Sequence, residues 1–261
     1  MRRTFADILN AVGVDVAVEY HSFYMLVYEE GGFYDDMEEC FQWMPFAGTA
    51  YDLSDFNERN QLYFERFEYS DNLDDLLLLA EYVYNFAYAM NSDQSLVTTR
   101  SLSIARHANT LADKIGYRFI SDRGLYVLVP VNEDIGAAVE IAPEVIGNDL
   151  FRYDYRAYKG DLEGKRKILV GLAAELEPHR EELSKIAKDF TRDYFYMVNN
   201  LNIRHNNVEP IDSSKYKEFV ALMPDEELEG WYDVVRYMSA AAFLLLEYGV
   251  NVEAIKNLKR A

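Results

Sequence analysis

Between residues 199 and 207 the chain reads Asn-Asn-Leu-Asn-Ile-Arg-His-Asn-Asn, a density of polar recognition groups with no obvious packing purpose. Arg204 offers a planar fork of donors that matches phosphate oxygens, and His205 exchanges a proton near neutral pH. Asn199, Asn200, Asn202, Asn206 and Asn207 carry amides of the kind that pair with base edges. Such a set suits a phosphate or nucleotide site. It suits equally a helix stop, in which Arg204 and the amides satisfy the orphan carbonyls of a helix end and His205 is a packed connector. Residue types alone leave both open.

The elements that position this stretch are legible. From Pro178 onward Leu183, Ile186, Ala187, Phe190, Tyr194, Met197, Val198 and Leu201 recur at steps of three and four, which predicts one amphipathic helix. Asparagine is a poor interior helix residue but tolerates the left-handed conformation that closes a helix, so 199–202 read as its end. Pro210 and then Asp212-Ser213-Ser214 supply a stop and a fresh N-cap, with helix expected again near Lys215. The motif is thus expected between two helices.

A helix ending in Arg-His-Asn-Asn, a turn, and a long apolar helix holding Trp231 and Ala-Ala-Ala-Phe-Leu-Leu-Leu (240–246) form a recognisable order. Upstream stand Tyr158-Lys159-Gly160-Asp161-Leu162-Glu163-Gly164-Lys165-Arg166-Lys167-Ile168-Leu169 and Leu176-Glu177-Pro178. Over roughly residues 150–250 this resembles the HEPN helical domains of bacterial abortive-infection proteins. The resemblance implies a small helical bundle, often paired two-fold, which in active members is a metal-independent RNA endonuclease. In those enzymes a histidine follows the arginine after some four to six residues. Here those positions fall around Glu209 and Pro210, and the histidine, His205, directly follows Arg204.

Three functions follow as expectations. The resemblance implies a protein of phage defence or of a toxin–antitoxin pair that binds RNA or nucleotide through Arg204, His205, Asn206 and Asn207 without the full nuclease motif. A ribonuclease is the alternative, with His205 as general acid or base and Arg204 stabilising the developing phosphorane charge. An acidic protein-interaction module without nucleic-acid activity is the third. A homodimer is expected, because a helix as apolar as 240–246 needs partners on most sides.

Charge restricts any nucleic-acid contact. The chain carries a net −19; residues 1–100 hold 19 acidic and 5 basic side chains, whereas residues 101–261 hold 26 and 21. A surface this negative opposes nonspecific nucleic-acid binding, so any RNA contact must be local. Lys159, Lys165, Arg166, Lys167, Arg180 and Arg204 are the local cations, with Lys165 and Arg166 taken as binding candidates beside the asparagines; a solvated basic helix face is the plainer meaning of 165–167.

The fold expected is mostly α: an acidic helical region over 1–98, a helix-hairpin-helix bridge over 99–145 and a helical bundle over 146–261. In the first region Leu73, Leu76, Leu77, Leu79, Ala80, Val83, Tyr84, Phe86, Ala87 and Met90 give a broad apolar face behind an Asp71-Asn72 cap, which makes this the central helix. Residues 16–28 fit a buried helix or a strand, with helix preferred. A helix over 101–115 stops at Gly116. Tyr117-Arg118-Phe119-Ile120 and Leu125-Tyr126-Val127-Leu128-Val129 then flank Ser121-Asp122-Arg123-Gly124 as a hairpin. Arg106-His107 reads as a surface pair.

Other chemistry is poorly supplied. Asp35, Asp36, Glu38 and Glu39 lack the histidine or the calcium-loop spacing that a metal site needs, so neither metal nor cofactor is expected. Cys40 follows two glutamates, which disfavours thiolate, and a single cysteine suits a reducing compartment. Asp7, Asn10 and Asp15 interrupt any leader after Met1-Arg2-Arg3, and Glu247 ends the 240–246 run well short of a membrane span. A cytoplasmic protein is the expectation.

Overall fold

The computed structural model describes residues 14–209 and 214–260. Met1, Arg2, Arg3, Asp7 and Asn10 of the leader argument, and Pro210, Asp212 and Ser213 of the stop-and-cap argument, lie outside them. The chain is 69% helical, with 12 α-helices and one antiparallel two-stranded hairpin among the described residues, so the mostly-α expectation holds. It divides into two compact units, one up to Leu128 and one from Val129.

The first unit comprises α1 (Val16–Tyr28), α2 (Phe33–Cys40), α3 (Leu53–Arg59), α4 (Leu73–Ser92), α5 (Thr99–Ile115) and most of the hairpin β1 (Tyr117–Asp122) and β2 (Leu125–Pro130). Asn72 starts α4 by accepting the Asp74 N–H at 3.0 Å, and Asp74 and Asp75 sit at the positive end of the helix dipole. The broad face is buried as expected, from Leu76 to Met90, and α4 packs against α1 and α5. Residues 16–28 resolve as helix because Tyr20, Phe23 and Val27 recur at helical spacing into this core.

Helix α5 begins with a capping box between Thr98 and Ser101 and closes at Gly116, whose φ of +73° suits a residue without Cβ. The hairpin turns on Arg123 and Gly124, at φ +51° and +85°; two positive φ values are what a two-residue turn needs to match strand twist. Polar side chains of α4 hold β2. Asn85 clamps Tyr126, donating to its carbonyl at 2.8 Å and accepting its N–H at 2.7 Å, while the buried Glu81 accepts the Leu128 N–H at 2.7 Å. His107 is half-buried and stacks on Phe23 at 5.4 Å between ring centroids, so it is part of the packing rather than one half of a surface pair.

The second unit holds α6 (Glu133–Ile141), α7 (Glu144–Arg152), α8 (Leu162–Leu176), α9 (Arg180–Ile186), α10 (Lys188–Asn200), α11 (Glu218–Ala221) and the 34-residue α12 (Asp225–Leu258). Helix α12 is its axis, packed by α6, α8, α9 and α10. Two expectations are corrected here. The single helix from Pro178 is two helices, broken at Ala187, whose φ of −144° and ψ of 77° are not helical. No glycine or proline marks the break. Its neighbour Ile186 presses so closely on Gly249 of α12 that a Cβ there would lie 2.6 Å from the isoleucine Cδ1, a contact invisible to local sequence. After the loop the chain regains helix at Glu218, not near Lys215, with Lys217 in the N-cap position.

Candidate functional site

The loop after α10 closes its helix with its own backbone. The Leu201 N–H returns to the Met197 carbonyl at 2.9 Å and the Arg204 N–H to the Val198 carbonyl at 3.1 Å. Between them Asn202 takes a φ of +58°, the left-handed conformation that asparagine tolerates. Asn202 and Asn207 then bond reciprocally: the Asn202 N–H donates to Asn207 Oδ1 at 2.8 Å and the Asn207 N–H to Asn202 Oδ1 at 3.1 Å. Asn207 also donates Nδ2 to the Lys215 carbonyl at 2.6 Å and accepts the Lys217 N–H at 2.8 Å. It is 1% exposed. From α8, Arg166 Nε bonds the Asn202 carbonyl, and Asn206 Oδ1 caps the N–H groups of Val208 and Glu209. Asn202, Asn206 and Arg166 therefore build the loop, and Asn207 both builds it and walls what it encloses.

That enclosure is a polar pocket of about 200 Å³ lined by Asn199, Asn200, His205, Asn207, Ser214, Lys215 and Lys217. Of the residues predicted from sequence, Asn199, Asn200, His205 and Asn207 meet here. Asn200 Nδ2 is engaged with the Tyr196 carbonyl at 2.7 Å, which leaves its Oδ1 to accept. Arg204 does not join them: its Nη1 pairs with Glu177 Oε2, where α8 ends. Adjacent in sequence, Arg204 and His205 serve different neighbourhoods.

Ser214, Lys215 and Lys217 are the lining residues that sequence reasoning missed, the two lysines being the charged ones. Among the described residues neither ammonium has a carboxylate within ion-pair distance, although the chain is strongly acidic. The available signal was two lysines one residue apart just beyond the asparagine run. What places them is the Asn207 clasp on the backbone of both, which only the folded loop reveals.

Lys165, taken from sequence as a binding candidate beside the asparagines or as part of a solvated basic helix face, is buried in another cluster. It is 8% exposed, with Nζ 2.8 Å from Glu229 Oε1 and 3.0 Å from Asp233 Oδ1, and it stands over the Tyr153 ring at 4.5 Å. Arg236, 1% exposed, faces the same ring at 5.3 Å, donates to the Leu150 carbonyl at 3.2 Å and pairs with Asp154. The Tyr153 hydroxyl donates to Asp233 at 2.7 Å. Burial, then the Asp233 carboxylate, pushes the Tyr153 pKa well above its ordinary value; the Lys165 hydrogen bond holds Glu229 below the usual glutamate range. Burial raises the Asp154 carboxyl despite the opposing pull of Arg236. Glu229, Asp233 and Arg236 lie at i, i+4 and i+7 of α12, a spacing that puts them on one face of the helix. With every charge paired, this cluster locks α12 to α8 and to the residues after α7.

No group of histidine, cysteine and carboxylates among the described residues is placed to hold a metal ion, and none of the described helices is long and apolar enough to cross a membrane. No family model, curated protein or solved structure matches the chain.

Proposed function

We propose that the pocket at the end of α10 binds a nucleotide or single-stranded RNA without cleaving it, in a HEPN-like protein serving phage defence or a toxin–antitoxin pair. One observation carries this: His205 and the amides of Asn199 and Asn200 share a pocket with Lys215 and Lys217, two cations that lack carboxylate partners among the described residues. Lysine supplies compact positive charge for phosphate, and the Asn200 Oδ1 and Asn199 amide supply the donors and acceptors that a base edge needs. In so acidic a chain, a local pair of lysines without carboxylate partners among the described residues is where an anion is tolerated.

Cleavage without metal needs a group that moves the proton of the ribose hydroxyl and a cation on the phosphorane, both within reach of one phosphate. His205 lies at the pocket, but Arg204 is committed to Glu177, so the two halves of that machinery are apart. Fluorescence anisotropy with a labelled single-stranded RNA and with mononucleotides tests the reading. The parent binds and leaves the RNA intact in EDTA, and Lys215→Ala/Lys217→Ala and His205→Ala each weaken binding at unchanged thermal stability. Equal binding by parent and variants would overturn it.

A second reading rests on a separate observation. The acidic first unit exposes Trp43, Tyr51, Phe67 and Tyr69 at 64%, 80%, 59% and 63%, the rigid aromatic anchors that partner surfaces use. A basic partner protein is the complement. Its signature is a Trp43 fluorescence change on titrating lysine-rich peptides, lost in Trp43→Ala, together with no RNA binding by the parent.

A further inference from the structure

The first unit holds a cavity of about 310 Å³ where the chain passes from α3 to α4. Gln61 leaves α3 at a φ of +57°, the Leu62 N–H returns to the Asn57 carbonyl at 2.8 Å, and one 3-10 turn follows over Phe64–Arg66. That turn brings Tyr63, Phe64 and Phe67 to the start of α4, where Asp75 and Leu78 stand one helical turn apart, and Tyr20 joins them from α1. Tyr20 and Phe64 are buried, whereas Phe67, Leu78 and Asp75 are open to solvent. Four of the lining side chains are therefore aromatic, and the one charged group among them is a carboxylate.

Two of these groups lack a partner. Ser70 Oγ donates to Asp75 Oδ2 at 2.6 Å, which leaves Oδ1 to accept, and among the described residues no lysine or arginine stands within ion-pair distance of that carboxylate. Tyr20 is 1% exposed, and its hydroxyl has no hydrogen-bond partner among the described residues. Burial, then the Asp75 carboxylate, pushes its pKa up to about 12, so the hydroxyl stays neutral. Arg66 does not line the cavity; its guanidinium lies over the Tyr63 ring at 4.3 Å from the centroid. With 19 acidic and 5 basic side chains over residues 1–100, the surroundings also favour a cation.

We infer that this cavity binds a quaternary ammonium group, with the aromatic rings supplying cation–π attraction and Asp75 the counter-charge. A metal ion needs several oxygen ligands, and Asp75 is the only carboxylate in the lining. A primary ammonium is strongly hydrated and gives up its water only to a full set of acceptors, which aromatic walls do not provide. A methylated ammonium has no N–H to satisfy, and its methyl groups bury well against rings and Leu78. The volume suits one small solute or one side chain. The site does not depend on the α10 pocket or its ligand.

Proton NMR of tetramethylammonium titrated with the full chain reads binding directly, because methyl protons that enter the ring currents move upfield. A saturable upfield shift is expected. Choline gives the same response, and its neutral isostere, in which carbon replaces the nitrogen, binds at least about tenfold more weakly. Asp75→Asn, which still accepts from Ser70, and Phe67→Ala, at an exposed position, each lose most of the shift with an unchanged melting curve. Tyr248→Ala, at an exposed aromatic of the second unit, keeps it. Choline and a peptide bearing one trimethyllysine, compared at equal concentration, tell a free solute from a side chain, the tighter of the two being the source. A parent that shifts no signal overturns the inference, as does equal binding of the neutral isostere or an Asp75→Asn chain that binds like the parent.

Discussion

Asn202 and Asn207 hold each other through two hydrogen bonds, each amide oxygen accepting the other residue's backbone N–H, at 2.8 and 3.1 Å. The pair fixes a six-residue turn and leaves the Asn207 amide nitrogen for the Lys215 carbonyl. Asn207→Ala orphans the Asn202 N–H and that carbonyl, and is expected to cost about 2–4 kcal/mol in urea unfolding. Asn206→Ala, at an exposed cap, is expected to cost under about 1 kcal/mol.

The Arg204–Glu177 pair predicts a dissociation of stability from binding. Its side chains are about one-third exposed, so Arg204→Ala should lower stability by at most about 1 kcal/mol. Because Arg204 lies off the pocket, RNA affinity should stay within a factor of about two, by anisotropy, where His205→Ala loses most of it. A loss equal to that of His205→Ala would show that Arg204 contacts the ligand.

Removing Lys165 strands Glu229 and Asp233 against the buried Tyr153. Lys165→Met is expected to destabilise by about 3–5 kcal/mol, and Lys165→Met/Glu229→Gln/Asp233→Asn to recover part of the loss, because no carboxylate is then left uncompensated. Chemical unfolding of the single and triple variants measures the difference.

His107 supplies a pH dependence. Burial, the larger cause, holds its pKa below the ordinary 6.5, so the folded protein binds that proton less readily than the unfolded chain. Its contribution is present above pH 6.5 and is lost as pH falls through the folded value. Stability of the parent should therefore decline more steeply below pH 6.5 than that of His107→Phe, which keeps the ring against Phe23. Parallel profiles for the two would contradict the assignment.

How far the sequence was legible depended on whether local pattern or distant contact decided the structure. Helix α4 and the hairpin announce themselves, the one by a broad apolar face behind Asn72 and the other by alternation around Arg123-Gly124, because caps and positive φ values are properties of neighbouring residues. The break at Ala187 was not legible, since Ile186 meets Gly249 across 63 positions. At the candidate site, the asparagine run marked the loop correctly but not the division of labour within it. Asn199, Asn200 and His205 face the pocket, while Asn202, Asn206 and Arg166 build the turn. Lys165 looked like part of a basic helix face, and only the register of α8 against α12 reveals its two carboxylates.

The salt dependence of RNA affinity tests the proposed pocket most directly, because it counts neutralised phosphates. If Lys215 and Lys217 each neutralise one, the slope of log K against log salt for single-stranded RNA should flatten by about 1.4 in Lys215→Ala/Lys217→Ala relative to the parent. A parent that binds with the same slope as the variant would contradict the assignment of these lysines, and a parent that does not bind would contradict the pocket itself.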